Sequence, residues 1–162
     1  MKPYLIANEI MPMQAGERHY TLPLHCTLVH WFWLDTSIID INAMVDMIAD
    51  IHTKPIRLIP DDEQLFTTPT LSGDMPVCVT TVERMPELID LHERVTSLLV
   101  SMDAEYEKPE YIHEGYRPHI THRAGETVDM GGYVSKNLYL ITSERPEYGH
   151  VRTVLAKIAL AK

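Results

Sequence analysis

The sequence predicts an α+β domain assembled from two halves of like architecture. Three observations carry that prediction: strand-type and helix-type periodicities alternate along the chain, each helix pattern bears one apolar stripe suited to packing on a sheet, and a His-x-Thr phrase recurs in a strand setting in each half. The chain has 162 residues, 45% of them hydrophobic and 23% charged, which is the range of one globular domain able to bury a substantial core. No low-complexity segment or composition break marks a linker. The expected organisation is a single domain, 1–162, of two pseudo-symmetric lobes, about 1–84 and 85–162, with strands free to exchange between them.

The first expected strand is PYLIANEI, residues 3–10, and residues 24–34 form a second, rich in aromatic and β-branched side chains. The segment DTSIIDINAMVDMIADIH places Ile38, Ile41, Met44, Ile48 and Ile51 on one helical stripe, and Ser37 with Asp40 has the spacing of a helix start. KPIRLIP and MPVCVTTVE read as two more strands, separated by a loop over 60–76 rich in Asp, Thr, Pro and Gly. A second helix opens at Pro86 and carries Leu88, Leu91, Val95, Leu98 and Met102 on its apolar face. An acidic, Tyr-bearing loop over 103–116 leads to a strand at His119, and NLYLIT and TVLAKIAL supply two closing strands.

On a strand alternate side chains share a face, so His25 joins Thr27, and His119 joins Thr121 and Arg123. If a pseudo-two-fold axis relates the halves, two imidazoles and two hydroxyls converge on one cleft. Such a constellation suits phosphoryl chemistry. One imidazole can deprotonate an attacking water or hydroxyl while the other protonates the leaving oxygen, since an unperturbed pKa near 6.5 makes both states accessible around neutrality. The threonine hydroxyls, about 6.8 Å along the strand from their histidines, can donate to non-bridging phosphate oxygens.

A third phrase, HYTL at 19–22, competes with HCTL at 25–28 for the first motif. Pro23 interrupts the strand after Thr21, whereas Thr27 runs on into an unbroken strand-forming stretch, which favours His25 over His19. Three binding candidates stand beside the motifs. Arg123 has cleft-facing parity and a fork of donors, with a salt bridge to a nearby acid as the competing use. Trp31, like Trp33, shares parity with His25 and offers a base-stacking surface, against ordinary core packing. Tyr116, just before the second motif, is weighed against a surface-loop position.

A formal charge of −9 and a pI near 5.4 disfavour long nucleic acid, whose non-specific affinity comes from Lys and Arg. Cys26 and Cys78 are too few for a disulfide framework or a zinc signature, and both read as reduced core residues. His113, His119 and His122 cluster in sequence, but no carboxylate or thiol completes a recognised ligand pattern, and His119 and His122 point to opposite faces. No metal is expected. The longest apolar runs fall far short of the roughly 20 residues of a membrane helix and the N-terminus lacks a signal-peptide pattern, so a cytoplasmic protein without membrane contact is expected. A monomer is expected as well.

HCTL at 25–28, HITH at 119–122 and the order of elements across nearly the whole chain resemble the two-histidine (2H) phosphoesterase superfamily, which includes the 2′-5′ RNA ligase-like proteins and cyclic nucleotide phosphodiesterases. The resemblance implies a bilobal duplicated fold, two antiparallel β-sheets flanking a central groove with helices packed on the outside. It implies catalysis without a metal or other cofactor, by His25 and His119 as acid and base and by Thr27 and Thr121 as phosphate donors. The substrate it implies is a small nucleotide or oligonucleotide with a cyclic or 2′-5′ phosphodiester. One departure is His122, where the family usually has a hydrophobic residue; alternation turns it away from the cleft, toward the helix layer. The competing readings are a non-catalytic nucleotide or RNA-end binding module on the same fold, a 2′-5′ RNA ligase, and a His-rich metal-dependent hydrolase. Base preference is expected to depend on the loops over 60–76 and 103–116.

Overall fold

Antiparallel pairing gathers most of the chain into one twisted array of strands. The computed structural model describes residues 1–51, 54–70, 73–123, 125–144 and 150–160. Its strands are β1 (Lys2–Glu9), β2 (Arg18–His19), β3 (His25–Leu34), β4 (Ile56–Leu58), β5 (Pro60–Thr70), β6 (Gly73–Val82), β7 (Glu105–Tyr106), β8 (His119–His122), β9 (Tyr133–Ser135), β10 (Asn137–Glu144) and β11 (Val151–Ala159), with helices α1 (Ile41–Ala49) and α2 (Pro86–Ser101). The strands follow the order β2-β11-β10-β1-β3-β8-β6-β5, β7 adds to β3, and β4 with β9 forms a separate ribbon. This is the α+β architecture that the alternating periodicities predict.

The array has two parts, β2-β11-β10-β1-β3 and β8-β6-β5, and the seam between them is narrow. Across it β3 and β8 share one antiparallel pair, Cys26 with Ile120, whereas β5 and β6 pair along nearly their whole lengths. One face of the array and the two helices enclose the main core, which includes Phe32, Leu34, Met44, Ile48, Leu91, Val95, Ile120 and Leu140. A smaller apolar cluster of Leu5, Ala7, Met13, Tyr139, Ile141 and Val154 covers the opposite face of the larger part. Among the described residues no helix is long and apolar enough to cross a membrane.

Helix α1 starts later than its stripe suggests. Asp35 accepts from the Ser37 amide and hydroxyl at 3.0 and 2.6 Å and so holds a separate turn, after which Asp40 caps the helix by accepting from the Asn42 amide. Ile38 therefore sits in the turn, 78% exposed, and Met44 with Ile48 anchors the helix. On α2 the buried face holds Leu88, Leu91, His92, Val95, Thr96 and Leu99, so Leu99 takes the fully buried place and Leu98 packs at the margin.

Two loops gain structure. Within the span 60–76, β5 and β6 pair antiparallel, and residues 71–72 lie outside the described residues. Asp61 to Leu65 are exposed, so backbone pairing makes this strand without the apolar alternation that marks a buried one. In 103–116, β7 pairs with β3, and 3-10 turns form at Pro109–Tyr111 and His113–Gly115. Both cysteines are free; Cys26 is buried as expected, but Cys78 is only half-buried. Burial pushes the Cys26 thiol up to about 12, which suits a packing role.

Gly132 shapes the entry to β9. Its φ is +94°, and a Cβ there would lie 2.8 Å from the Leu58 carbonyl oxygen, whereas Gly16 at φ +93° faces open space. Left-handed backbone costs a residue with a Cβ about 1–2 kcal/mol. Gly16→Ala is expected to lose about that much stability in thermal or urea denaturation, and Gly132→Ala measurably more, because only the second meets the β4 backbone.

Candidate active site

The narrow seam is where the two motifs meet. Pairing Cys26 with Ile120 in an antiparallel ladder sets His25 beside Thr121 and Thr27 beside His119, with the two histidines on the diagonal, about 7–8 Å apart in an ideal ladder. Cys26 and Ile120 point into the core, 0% exposed, so alternation turns all four motif side chains to the other face. His25, Thr27 and His119 are half-buried there and Thr121 is exposed.

Each motif histidine is held in the same way. His25 Nδ1 lies 2.8 Å from the Pro23 carbonyl, and His119 Nδ1 lies 2.7 Å from the Arg117 carbonyl, in each case two residues back. A carbonyl only accepts, so Nδ1 carries the hydrogen and Nε2 is left bare on both rings. Both imidazoles have their pKa lowered, chiefly by desolvation, with the carbonyl contacts acting in the opposite direction and His119 depressing His25 further. Two neutral bases thus share one groove.

A third imidazole joins them through an irregularity in β3. Strict alternation would put Val29 beside Thr27, but the β1 register pairs Ala7 with Thr27, Ile6 with Val29, and Tyr4 with Phe32, so β3 bulges twice. Leu28 and Val29 both face the main core, and His30 and Trp31 both face the groove side. The sequence carries no signal for this, because bulge positions follow from the partner strand. His30 Nδ1 is buried with no partner among the described residues, and burial lowers the ring's pKa to about 4, with His119 and Lys108 adding to the effect.

A cavity of about 420 Å³ opens beside the motifs, lined by Thr27, His30, Phe66, Lys108, Tyr111 and His119 together with Leu65, Tyr116 and Arg117. That is within the size range of small-ligand pockets. Phe66 from β5 meets the His119 ring edge-on at 5.1 Å, and Lys108 sits 5.6 Å from the Tyr111 ring centroid. Both loops expected to border the site therefore reach it.

The binding candidates occupy different places. Tyr116 is buried rather than in a surface loop; its hydroxyl donates to the Thr27 carbonyl at 2.8 Å and its ring stacks on His92. Arg123 is exposed and ion-paired with Glu126 at 3.3 Å. Trp31 packs, half-buried, against the smaller apolar cluster. His19 lies on β2, which pairs with β11, and contacts Glu17 at 2.9 Å. His122 faces the helix layer as expected and finds a partner in the Thr80 hydroxyl at 3.1 Å. Arg152 on β11, which no sequence pattern singles out, is close enough to His25 to lower its pKa. Among the described residues, no three His, Cys, Asp or Glu side chains are grouped to hold a metal ion.

Because His30 titrates near 6.5 when unfolded and at about 4 when folded, the unfolded chain binds the extra proton between those values and stability falls as pH drops through that window. The full effect is about 3 kcal/mol at most. His30→Gln is therefore expected to lose less stability than wild type between about pH 7.5 and 4.5 in urea titrations.

No family model and no curated protein sequence matches the chain. Solved structures do. The Escherichia coli LigT complex with 3′-AMP superposes with a TM-score of 0.61 at 18% identity, covering 99% of both chains. A crystal structure described as a phosphoesterase gives 0.60 at 18% identity, again over 99% of each chain. A Thermus thermophilus protein gives 0.51 at 19% identity over 98% of this chain and 97% of its own. With its paired His-x-Thr strands meeting at one seam, the chain has the fold of the LigT-like 2H phosphoesterases.

Proposed function

We propose that the protein is a metal-independent phosphodiesterase that opens a nucleoside 2′,3′-cyclic phosphate, or cleaves a related 2′-5′ or cyclic oligonucleotide phosphodiester, by paired-histidine acid–base catalysis. The observation that carries this reading is the matched pair of imidazoles, each tied through Nδ1 to the carbonyl two residues upstream and each presenting a bare Nε2 at the seam. In the reaction one Nε2 takes a proton from water as its oxygen attacks phosphorus. The other, protonated, gives its proton to the ribose oxygen as the P–O bond breaks. Thr27 and Thr121 donate to the non-bridging oxygens. Each acid–base role is worth about 10²–10⁴-fold in rate and a hydroxyl donor about 10²–10³-fold, without simple additivity.

A small nucleotide fits three further observations. The net charge of −9 disfavours a long polyanion, the cavity is of single-ligand size, and the LigT neighbour was crystallised with 3′-AMP. Lys108 and Arg117 give that cavity local positive charge. Tyr111 and Phe66 offer ring faces for a base. Arg123 and Trp31 remain secondary contacts in this reading, with Arg123 needing to leave Glu126 before it meets phosphate.

The test is hydrolysis of the four nucleoside 2′,3′-cyclic monophosphates, with and without EDTA. Wild type is expected to turn over in EDTA, His25→Ala and His119→Ala to lose at least about 10²-fold in kcat, and His19→Ala to stay within about threefold. Loss of activity in EDTA would favour a metal-dependent hydrolase, and nucleotide binding without turnover a binding module. Joining of RNA ends without hydrolysis would favour a ligase.

A second expectation concerns pH. The base must be neutral and the acid protonated, and both imidazoles in the free protein have pKa values below 6.5. The pH profile of kcat/KM is therefore expected to be bell-shaped with its maximum below about pH 6.5. A maximum on the alkaline side of neutrality would refute the assignment of both limbs to these rings.

A further inference from the structure

Side-chain donors fill a gap in the β3 ladder where the cavity cuts into it. On that edge β3 meets β8 at Cys26 and β7 at Phe32 and Trp33, and among the described residues no strand pairs with Thr27 to His30 between them. Buried carbonyls in such a gap need donors from elsewhere. Tyr116 donates its hydroxyl to the Thr27 carbonyl at 2.8 Å, and His92 Nδ1–H donates to the Leu28 carbonyl at 2.7 Å. These consecutive carbonyls stand at the first bulge.

The two donors form one assembly. Their rings stack at 3.9 Å with 7° between planes, and both residues are buried, at 1% exposure for His92 and 5% for Tyr116. His92 Nε2 accepts the His113 backbone N–H at 3.0 Å, so both ring nitrogens are committed and the ring is the neutral Nδ1–H tautomer. Arg84 donates to the Tyr116 carbonyl and holds the other partner. The assembly thus ties α2 and the 113–116 turn to the bulge.

We infer that His92 and Tyr116 are positioning residues for the hydrolysis, fixing through the Thr27 and Leu28 carbonyls the direction in which Thr27 and His30 enter the groove. The inference rests on the phosphodiesterase reading. A bulge leaves local backbone direction weakly specified by the ladder, and a shift of about 1 Å in a group that meets the transition state costs about 10²-fold in rate. In this scheme Tyr116, although it borders the cavity, acts through its hydroxyl on the Thr27 carbonyl, and His92 lies outside the cavity lining. Their influence passes through Thr27, so it falls on kcat more than on KM.

Three variants isolate the claim. Tyr116→Phe keeps the ring stack and removes one donor. His92→Asn keeps a donor near the Nδ1 position, and His92→Gln keeps a group toward His113 but loses the Leu28 contact. Expected are a fall of about 10-fold in kcat for Tyr116→Phe and for His92→Gln, KM within about threefold, and recovery of most of the kcat loss in His92→Asn relative to Gln. Amide hydrogen exchange at Leu28, Val29 and His30 is expected to quicken in Tyr116→Phe and His92→Gln and to stay unchanged at Phe32 and Leu34. Unchanged kcat, equal kcat in Asn and Gln variants, or unchanged exchange at the bulge would each overturn the inference. A wild type inert on every cyclic nucleotide would refute the hydrolase reading instead. Inorganic phosphate, titrated by NMR, then decides the positioning claim: a phosphate-induced shift of the Thr27 amide that is altered in Tyr116→Phe while that of Thr121 is kept supports it, and identical shifts at both amides reject it.

Discussion

One backbone pairing, Cys26 with Ile120, sets the geometry on which the rest of the site depends. Strand parity does the remainder. With both residues of the pair buried in the core, the flanking positions on each strand have to face the groove, and antiparallel direction crosses the motifs so that each histidine lies beside the other motif's threonine. Backbone pairing thus brings the two His-x-Thr strands together, and the side-chain donors Tyr116 and His92 act on the bulge beside them. The seam is also the thinnest part of the array, so the core packing of Ile120 and Cys26 holds it together and, in the proposed reaction, holds the motif strands in register.

Burial on the groove side has a direct chemical effect. His25, His30 and His119 all have lowered pKa values, with desolvation the largest cause in each; His119 depresses His25 and His30 further, and His25 depresses His30. An unliganded groove that avoids positive charge on its own imidazoles nevertheless has Lys108, Arg117 and Arg152 around it. In the proposed reaction an arriving phosphate changes that balance, since its negative charge favours the protonated form of whichever ring it approaches. Proton uptake on binding is the natural way for a resting pair of bases to acquire an acid.

How much of this was legible in the sequence depended on the kind of signal. The amphipathic stripes and β-branched runs located β1, β3, β4, β6, β10, β11 and both helices, because burial on one face leaves a period in the chain, while the short strands β2, β7 and β9 left no such mark. Exposed β5 left no such period, and 60–76 read as a loop where β5 and β6 pair antiparallel. Ile38 lay in phase with Met44 and Ile48, yet the Asp35 turn takes it out of the helix. At the candidate site, the matched His-x-Thr spacing singles out His25, Thr27, His119 and Thr121, which the Cys26–Ile120 pairing brings side by side. His30 and His92 were invisible for different reasons: a double bulge against β1 turns the first toward the groove, and only the tertiary contact with Leu28 distinguishes the second from any helix residue.

The near-symmetry of the motifs poses its own problem, because acid–base catalysis needs two different partners. Both rings have the same tautomer, the same kind of carbonyl anchor and the same direction of pKa shift. Their surroundings differ. His25 has Arg152 and Glu126 near enough to shift it in opposite directions, while His119 meets the Phe66 edge and lines the cavity. In the proposed reaction a substrate with its base in that cavity places one ribose oxygen and one water on opposite sides of phosphorus, and the pair's single proton belongs with the leaving oxygen. Roles are then assigned by substrate orientation rather than by fixed differences between the rings, and the groove that holds the base is also what decides which histidine acts as acid.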